Sequence, residues 1–181
     1  MKILIPACIA SLLILSPVLA QPAETQNAAI APHAKDLLIL QGENLVPFES
    51  AEFLKAPYTV LYFSAGWCPD CRRFSPSLVE TYNQQPRNGK RFEVLLFSMD
   101  KTAGGMLKFM TTEKMTWPAI AFDKTETAED LKKYYSSHGI PCLSVIDSKG
   151  KLVLQSKSDQ DAHDVLKELQ DLIKNPGSKQ Q

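Results

Sequence analysis

Two apolar runs on either side of an amphipathic stretch constrain the fold of this chain more than any other feature. The runs YTVLYFS (residues 58–64) and RFEVLLFSM (residues 91–99) are rich in aromatic and β-branched side chains, which is typical of buried strands. Between them, apolar side chains recur at helical spacing and predict one buried helix face, formed by Phe74, Leu78, Val79 and Tyr82. We therefore expect a strand, a helix and a second strand.

The second half of the chain predicts further elements of both kinds. Helices are expected over residues 102–110 and 127–139, the latter capped by a threonine and closed by a glycine. A β-hairpin is expected from residues 143–147 and 151–155, and a final helix over residues 165–173. Together these elements predict an α/β fold with a mixed central β-sheet flanked by helices on both faces.

Residues 1–20 have the features of a cleaved secretory signal peptide. One cation, Lys2, precedes an apolar stretch over residues 3–15, and compact side chains follow at Val18 and Ala20. A transmembrane helix is the alternative, but the stretch is shorter than the roughly 20 residues that span a bilayer. Cleavage after Ala20 would remove Cys8 and release an exported protein with no stable membrane insertion.

The rest of the chain is long enough for one domain with its own hydrophobic core. Residues 21–33 are polar, alanine-rich and proline-bearing without a periodic apolar face, so we expect a flexible leader there. The domain is expected over residues 34–175, followed by a disordered tail over residues 176–181. Basic and acidic side chains are balanced, 20 against 20, with no block of one sign, which argues against nucleic-acid binding. We expect a monomer.

Cys68 and Cys71 follow the first predicted strand and precede the first predicted helix. If Cys68 is the N-cap and Pro69 the first helical residue, the sulfur of Cys68 faces free backbone N–H groups. These donors and the helix dipole favour its thiolate, so Cys68 is expected to be the exposed, attacking sulfur. Cys71 lies one turn later and is expected to be more buried and to resolve a mixed disulfide.

Two other uses of the cysteine pair are weaker than redox chemistry. A structural disulfide across two residues would remove little entropy from the unfolded chain. A zinc site needs four ligands, commonly with a second pair at short spacing. No such pair exists among the remaining candidates, so no metal is expected; those candidates are Cys142, His33, His138 and His163.

The segment YFSAGWCPDCRRFSP (residues 62–76) resembles the active-site segment of the thioredoxin-like superfamily, in particular its tryparedoxin and nucleoredoxin branch. Further matching features are a strand that ends near Asp100, a segment that contains Trp117, and a Gly-Ile-Pro loop before the hairpin. The resemblance covers residues 42–173, and its order of motifs agrees with the order of predicted elements. It implies a thioredoxin-like fold.

The resemblance also implies roles for the residues at matching positions. Trp67, Cys68 and Cys71 match the active-site tryptophan, the nucleophile and the resolving cysteine. Pro141 matches a proline that is cis in this superfamily and lies against the disulfide. The backbone of Ile140 is then expected to form hydrogen bonds with an extended substrate segment.

Two positions depart from the pattern of the superfamily. Tyr62 stands where ordinary thioredoxins have a buried acid, so a proton acceptor for Cys71 is missing, and Asp100 is one hypothesis for it. Asp70 stands where much of the branch has proline. Its charge opposes a thiolate on Cys68, whereas the two arginines that follow the pair favour one, so the sign of its modulating effect is open.

These observations predict a secreted or periplasmic thiol–disulfide oxidoreductase that reduces or exchanges disulfides of proteins or small molecules. No cofactor motif is visible, so an unidentified thiol–disulfide partner is expected to regenerate the pair. The alternative is a non-catalytic metal-binding or chaperone module that uses the same thiols. Cys142 is expected to remain a free, buried thiol, and Trp117 is expected to pack in the core.

Overall fold

The computed structural model of the protein describes four stretches of the chain, which are residues 26–86, 88–136, 138–157 and 162–174. The predicted signal peptide, the predicted tail and the first part of the predicted leader lie outside the described residues. The described stretches contain the predicted strands, helices and cysteine pair.

Within these four stretches, seven strands form one mixed sheet. In chain order the strands are β1 (Leu37–Gln41), β2 (Asn44–Pro47), β3 (Tyr58–Ser64), β4 (Phe92–Ser98), β5 (Ala119–Ile120), β6 (Cys142–Asp147) and β7 (Leu152–Gln155). Their spatial order is β2-β1-β5-β4-β3-β6-β7. Strand β4 pairs in parallel with β3 and β5, whereas β6 runs antiparallel to both β3 and β7. The sheet is mixed, as predicted.

Helices cover both faces of the sheet, and the three longer ones share a single core. The helices are α1 (Pro69–Asn83), α2 (Ala103–Thr112), α3 (Glu129–Lys132) and α4 (Ala162–Lys174). Helices α1, α2 and α4 contribute Phe74, Phe109 and Leu169 to the first core. The second core contains Leu131 of α3 and Phe53 of a short 3-10 helix. Strand β3 separates the two cores, because successive side chains of a strand point to opposite faces.

The predicted flexible leader is wrong for its described part. Asn27 and Ile30 are both fully buried, and Ile30 packs in the second core. The side-chain amide of Asn27 donates to Thr59 Oγ1 at 3.1 Å, and its oxygen accepts the backbone N–H of Ala29 at 3.1 Å. A 3-10 helix then spans Ala31–Asp36. The folded domain therefore includes residues before position 34. Tertiary contacts order this segment although its sequence has no periodic apolar face.

The helix predicted over residues 127–139 is also wrong in length, because α3 ends at Lys132. The carbonyl of Tyr134 accepts hydrogen bonds from Ser144 Oγ at 2.5 Å and Gln155 Nε2 at 2.6 Å. These bonds connect the carbonyl to β6 and β7, and it does not continue the helix. Tertiary contacts here override local helix propensity.

Candidate active site

Three loops meet at one edge of the sheet because of the register of its strands. Ser64 at the end of β3 pairs with Ser98 at the end of β4, and Phe63 pairs with Cys142 at the start of β6. The residues that follow β3 and β4 therefore lie beside those that precede β6. This arrangement brings the cysteine pair close to Asp100 and to the loop before β6.

Cys68 is the N-cap of α1, as predicted. Its backbone is extended, with φ −83° and ψ 120°, and Pro69 is the first helical residue. The backbone N–H of Cys71 donates to Cys68 Sγ at 3.3 Å, which stabilises negative charge on that sulfur. On its other side, the Cys68 thiol donates to the carbonyl of Ile140 at 3.4 Å. Cys68 is only 5% exposed and belongs to the first core, so the expectation of an exposed sulfur is wrong.

Cys71 lies one turn further along α1 and is fully buried, so the predicted order of burial is confirmed. Burial raises the pKa of the Cys71 thiol to about 12, and its hydrogen bond with Cys68 acts in the same direction. Both cysteines are free thiols in this structure. The two sulfurs therefore have unlike surroundings, one next to a backbone donor and the other held in its protonated form.

Tyr62 lies behind the cysteine pair and is fully buried. Its hydroxyl is 3.0 Å from Ser75 Oγ and donates to the carbonyl of Cys71 at 3.5 Å, while Ser75 Oγ donates to the same carbonyl at 2.8 Å. Burial raises the pKa of Tyr62 above its ordinary value. Tyr62 therefore stays protonated at neutral pH, and it does not provide the base that a buried carboxylate would.

Trp67 is anchored at the rim of the site. Its indole N–H donates to the carbonyl of Met99 at 3.0 Å, yet 55% of the residue is exposed. Met99 is itself 36% exposed and adds to the apolar surface around the indole. Sequence reasoning did not include Met99 in the site, and its place directly after β4 was the one signal that could have found it.

Asp100 anchors the loop that carries Trp67. The backbone N–H of Gly66 donates to Asp100 Oδ1 at 3.0 Å, and the Ser98 hydroxyl donates to Oδ2 at 3.0 Å. Burial raises the pKa of Asp100, although both hydrogen bonds act against this effect. The role of Asp100 as proton acceptor for Cys71 stays a prediction.

The charged side chains next to the cysteine pair have partners of their own. Asp70 forms an ion pair with Arg73 on the exposed surface of α1. Arg72 donates to the carbonyl of Gly66 at 2.6 Å. Burial raises the pKa of Glu113, and the charge of Arg72 acts against this effect. The modulating effect of Asp70 on the redox couple stays a prediction.

The loop before β6 closes the site from the other side. The peptide bond between Ile140 and Pro141 is cis, as the resemblance implied. A cavity of about 620 Å³ lies along this loop, and Asp70, His138 and His163 are among the residues that line it. A partner segment that reaches Cys68 from this side would meet the backbone of Ile140.

Two further candidates are buried in the cores. Cys142 at the start of β6 is fully buried in the second core, whereas Cys71 of α1 belongs to the first, so the two thiols lie in different cores. Trp117 is fully buried in the first core, with its ring centroid 5.3 Å from that of Tyr82. The predicted burial of Cys142 and the predicted packing of Trp117 are both confirmed.

Residues 57–152 match a family model described as thioredoxin-like, which covers more than half of the chain. This chain belongs to the thioredoxin-like family. The match includes the cysteine pair, α1 and the loop that contains Pro141. It confirms the predicted fold.

Similar proteins within the family confirm the tryparedoxin and nucleoredoxin branch. The tryparedoxin of Trypanosoma brucei brucei is 36% identical over 121 residues, which is 67% of this chain and 78% of that protein. A solved tryparedoxin structure from Trypanosoma brucei has a TM-score of 0.55 and 28% identity, and the match covers 83% of this chain and 94% of that one. The nucleoredoxin of Xenopus laevis is 31% identical over 105 residues, 58% of this chain and 25% of its own length. The chain thus spans about a quarter of the nucleoredoxins that it matches.

Two further findings concern membranes and metals. Within the four described stretches, no helix is long and apolar enough to cross a membrane. Within the same stretches, no three His, Cys, Asp or Glu side chains are grouped so that they could hold a metal ion. The metal-binding alternative stays a prediction, which metal analysis of the reduced protein tests.

Proposed function

We propose that this protein is a thiol–disulfide oxidoreductase in which Cys68 attacks and Cys71 resolves. The observation that carries the proposal is the unequal environment of the two sulfurs. A backbone N–H points at Cys68 Sγ from 3.3 Å, whereas burial raises the pKa of Cys71 to about 12. A thiolate is the nucleophile in disulfide exchange, so Cys68 reacts first.

The reaction consists of two exchanges. The Cys68 thiolate attacks one sulfur of a substrate disulfide, so a Cys68–substrate disulfide forms and the other substrate sulfur leaves as a thiolate that takes up a proton. Cys71 then loses its proton and attacks Cys68, which releases the second substrate thiol and leaves a Cys68–Cys71 disulfide. Two electrons pass from the protein to the substrate, and the reverse sequence oxidises a dithiol.

We assign substrate positioning to Trp67, Ile140 and Pro141. In the reduced protein the carbonyl of Ile140 accepts the hydrogen of the Cys68 thiol. That hydrogen is lost when Cys68 forms a mixed disulfide, so the carbonyl becomes free to accept a backbone N–H of an extended substrate segment. The exposed indole of Trp67, the residue that directly precedes Cys68, supplies apolar surface at the rim of the site.

We further propose that the protein acts after export, as a secreted or periplasmic enzyme regenerated by a separate thiol–disulfide partner. The support is the sequence of residues 1–20, with its single cation, apolar stretch and compact residues before the expected cleavage point. Exported compartments allow disulfides to form and persist. Sequencing the amino terminus of the mature protein tests this proposal, and the expected first residue is Gln21.

A trapping experiment tests the assignment of the two sulfurs. Cys68→Ser is expected to abolish reduction of a model disulfide, whereas Cys71→Ser is expected to accumulate a Cys68–substrate disulfide that mass spectrometry detects. A mixed disulfide on Cys71 in the Cys68→Ser variant at a similar rate would contradict the assignment. Equilibration of the pair against glutathione then determines whether the protein acts as a reductant or as an oxidant.

A further inference from the structure

A cavity of about 450 Å³ opens beside Trp67, and it is separate from the cavity along the Pro141 loop. Trp67 and Phe109 provide apolar lining. Gly66 also lines it, and a Cβ atom there would lie 2.9 Å from Phe109 Cβ, which is closer than non-bonded carbon atoms approach in folded proteins. The absence of a side chain at Gly66 therefore allows Phe109 to pack where it does.

Among the described residues, five charged side chains also line this cavity, and three of them already have partners. Asp100 accepts two hydrogen bonds, from Gly66 and Ser98. Arg72 donates to Gly66 and interacts electrostatically with Glu113. The charges of Arg72 and Glu113 therefore oppose each other, and Asp100 is held by its two hydrogen bonds.

The other two charged side chains are Lys101 and Lys108, which are both exposed. Neither forms an ion pair with a carboxylate in the part of the chain that the structure describes. Lys108 lies within α2 and Lys101 lies in the loop just before its N-cap, Thr102, so the helix and the loop that leads into it place the two lysines at the cavity. The cavity thus combines an apolar lining with two lysines that form no ion pair within the described stretches, and it is lined by Trp67, which directly precedes Cys68 in the sequence.

We propose that this cavity is a subsite for peptide-like disulfides that carry a carboxylate next to the reacting sulfur. The apolar part of such a substrate packs against Trp67 and Phe109, and its carboxylate lies between Lys101 and Lys108. The subsite takes no part in electron transfer and selects among substrates by charge. This inference rests on the proposed function, because it concerns the substrate of the same cysteine pair.

A specificity ratio tests the subsite. Two short peptides, each joined to a fluorescent reporter by a disulfide, differ only in Glu or Gln next to the cysteine, and dithiothreitol regenerates the enzyme. The ratio of kcat/KM for the Glu peptide over the Gln peptide is expected to be about three to ten in the wild type, as for two exposed ion pairs. It is expected to fall towards one in Lys101→Ala/Lys108→Ala and at high salt.

Lys149→Ala is the matched control for charge. Lys149 is exposed in the β6–β7 turn, at the end of the sheet opposite the cysteines, and its backbone N–H, rather than its side chain, donates to Asp147. This variant is expected to keep the wild-type ratio. The charge reversal Lys101→Glu/Lys108→Glu is expected to bring the ratio below one, which a merely structural role of the lysines would not do.

A second pair of substrates tests whether the disulfide that occupies the subsite belongs to a small molecule or to a peptide. Oxidised glutathione and its fully esterified form differ in carboxylate charge, as the two peptides do. A preference for the charged substrate of either pair supports the subsite if that preference is lost in Lys101→Ala/Lys108→Ala. A preference seen with glutathione indicates a small-molecule substrate, and a preference seen with the peptides indicates a peptide substrate. Ratios near one in the wild type, or equal ratios in the double variant, would overturn it. Absence of any reduction would instead contradict the proposed function.

Discussion

The hydroxyl groups of Tyr62 and Ser75 lie 3.0 Å apart, and both donate to the carbonyl of Cys71. This arrangement fixes the first turn of α1 from inside the core. The tyrosine occupies the position of a buried acid, but with its pKa raised by burial it acts as a hydrogen-bond donor. The two hydroxyls therefore support the cysteine pair and leave proton transfer to other groups.

Tyr62→Phe is expected to lower the free energy of unfolding by about 1 kcal/mol and to leave the shape of the pH–rate profile unchanged. The reason is that Ser75 still donates to Cys71 after the tyrosine hydroxyl is removed. Ser75→Ala is the comparison variant, and it should cost more because Tyr62 keeps only its long contact with Cys71. Urea unfolding and disulfide-reduction kinetics measure both effects. Loss of one limb of the pH profile in a folded Tyr62→Phe protein would give the tyrosine a role in proton transfer.

The two active-site thiols are expected to react with iodoacetamide over different pH ranges. Because burial raises the pKa of Cys71 to about 12, its alkylation rate should rise about tenfold per pH unit through the mildly alkaline range without a plateau. Cys68 should be modified first throughout. Peptide mass mapping of a Cys142→Ala background, which removes the third thiol, measures the two rates separately. Equal rates for the two thiols at neutral pH would argue against the division of roles.

Asp100→Asn is expected to become more stable relative to the wild type as the pH rises from acid to neutral. Burial raises the pKa of Asp100, so the folded protein holds this proton at a pH where the unfolded chain releases it. The contribution of the protonated carboxyl is present at low pH and is lost as the pH rises through the raised pKa. Urea unfolding of both proteins across this range gives the difference directly. A difference that does not vary with pH would contradict the expectation.

The same variant tests the hypothesis that Asp100 accepts the proton of Cys71. The two oxygens of Asp100 already accept hydrogen bonds from Gly66 and Ser98. We therefore expect the main effect of Asp100→Asn on the rate to come from the Trp67 loop, with an altered fluorescence of Trp67 and a pH–rate profile of unchanged shape. A shifted or missing limb in that profile would instead assign proton transfer to Asp100.

Cys142→Ala is expected to reduce stability more than turnover. The thiol is fully buried in the second core, and removing its sulfur leaves a small cavity that costs about 1 kcal/mol. Chemical unfolding and the reduction rate of a model disulfide measure the two effects side by side. A disulfide between Cys142 and either active-site cysteine in the oxidised protein, or a large loss of turnover in a folded variant, would contradict this expectation.

The central elements were predictable because they depend on local patterns. The runs that became β3 and β4 are buried on both faces, so they appear as continuous apolar stretches. The N-cap position of Cys68 followed from its place between a strand and a proline that starts a helix. The redox pair and its helix therefore needed no tertiary information.

Other elements depend on contacts that the sequence does not reveal. The segment around Asn27 is ordered by hydrogen bonds to Thr59 and to the end of β6, more than thirty residues away in sequence. Helix α3 is short because the carbonyl of Tyr134 pairs with two later strands. The β1–β2 hairpin, which turns at Gly42 with φ 62°, was not predicted because its apolar runs are short and only partly buried.

The burial of Asn27 has a practical consequence for experiments on a surface. Its side chain is bound to Thr59 and Asp147, which lie near the paired ends of β3 and β6 farthest from Cys68. The described chain therefore begins at the end of the sheet opposite the cysteines, and the length of β3, about 20 Å, separates the two. An affinity tag or a sensor-chip linkage placed just before residue 26 would hold the protein with its reactive edge facing solution, free to meet partners.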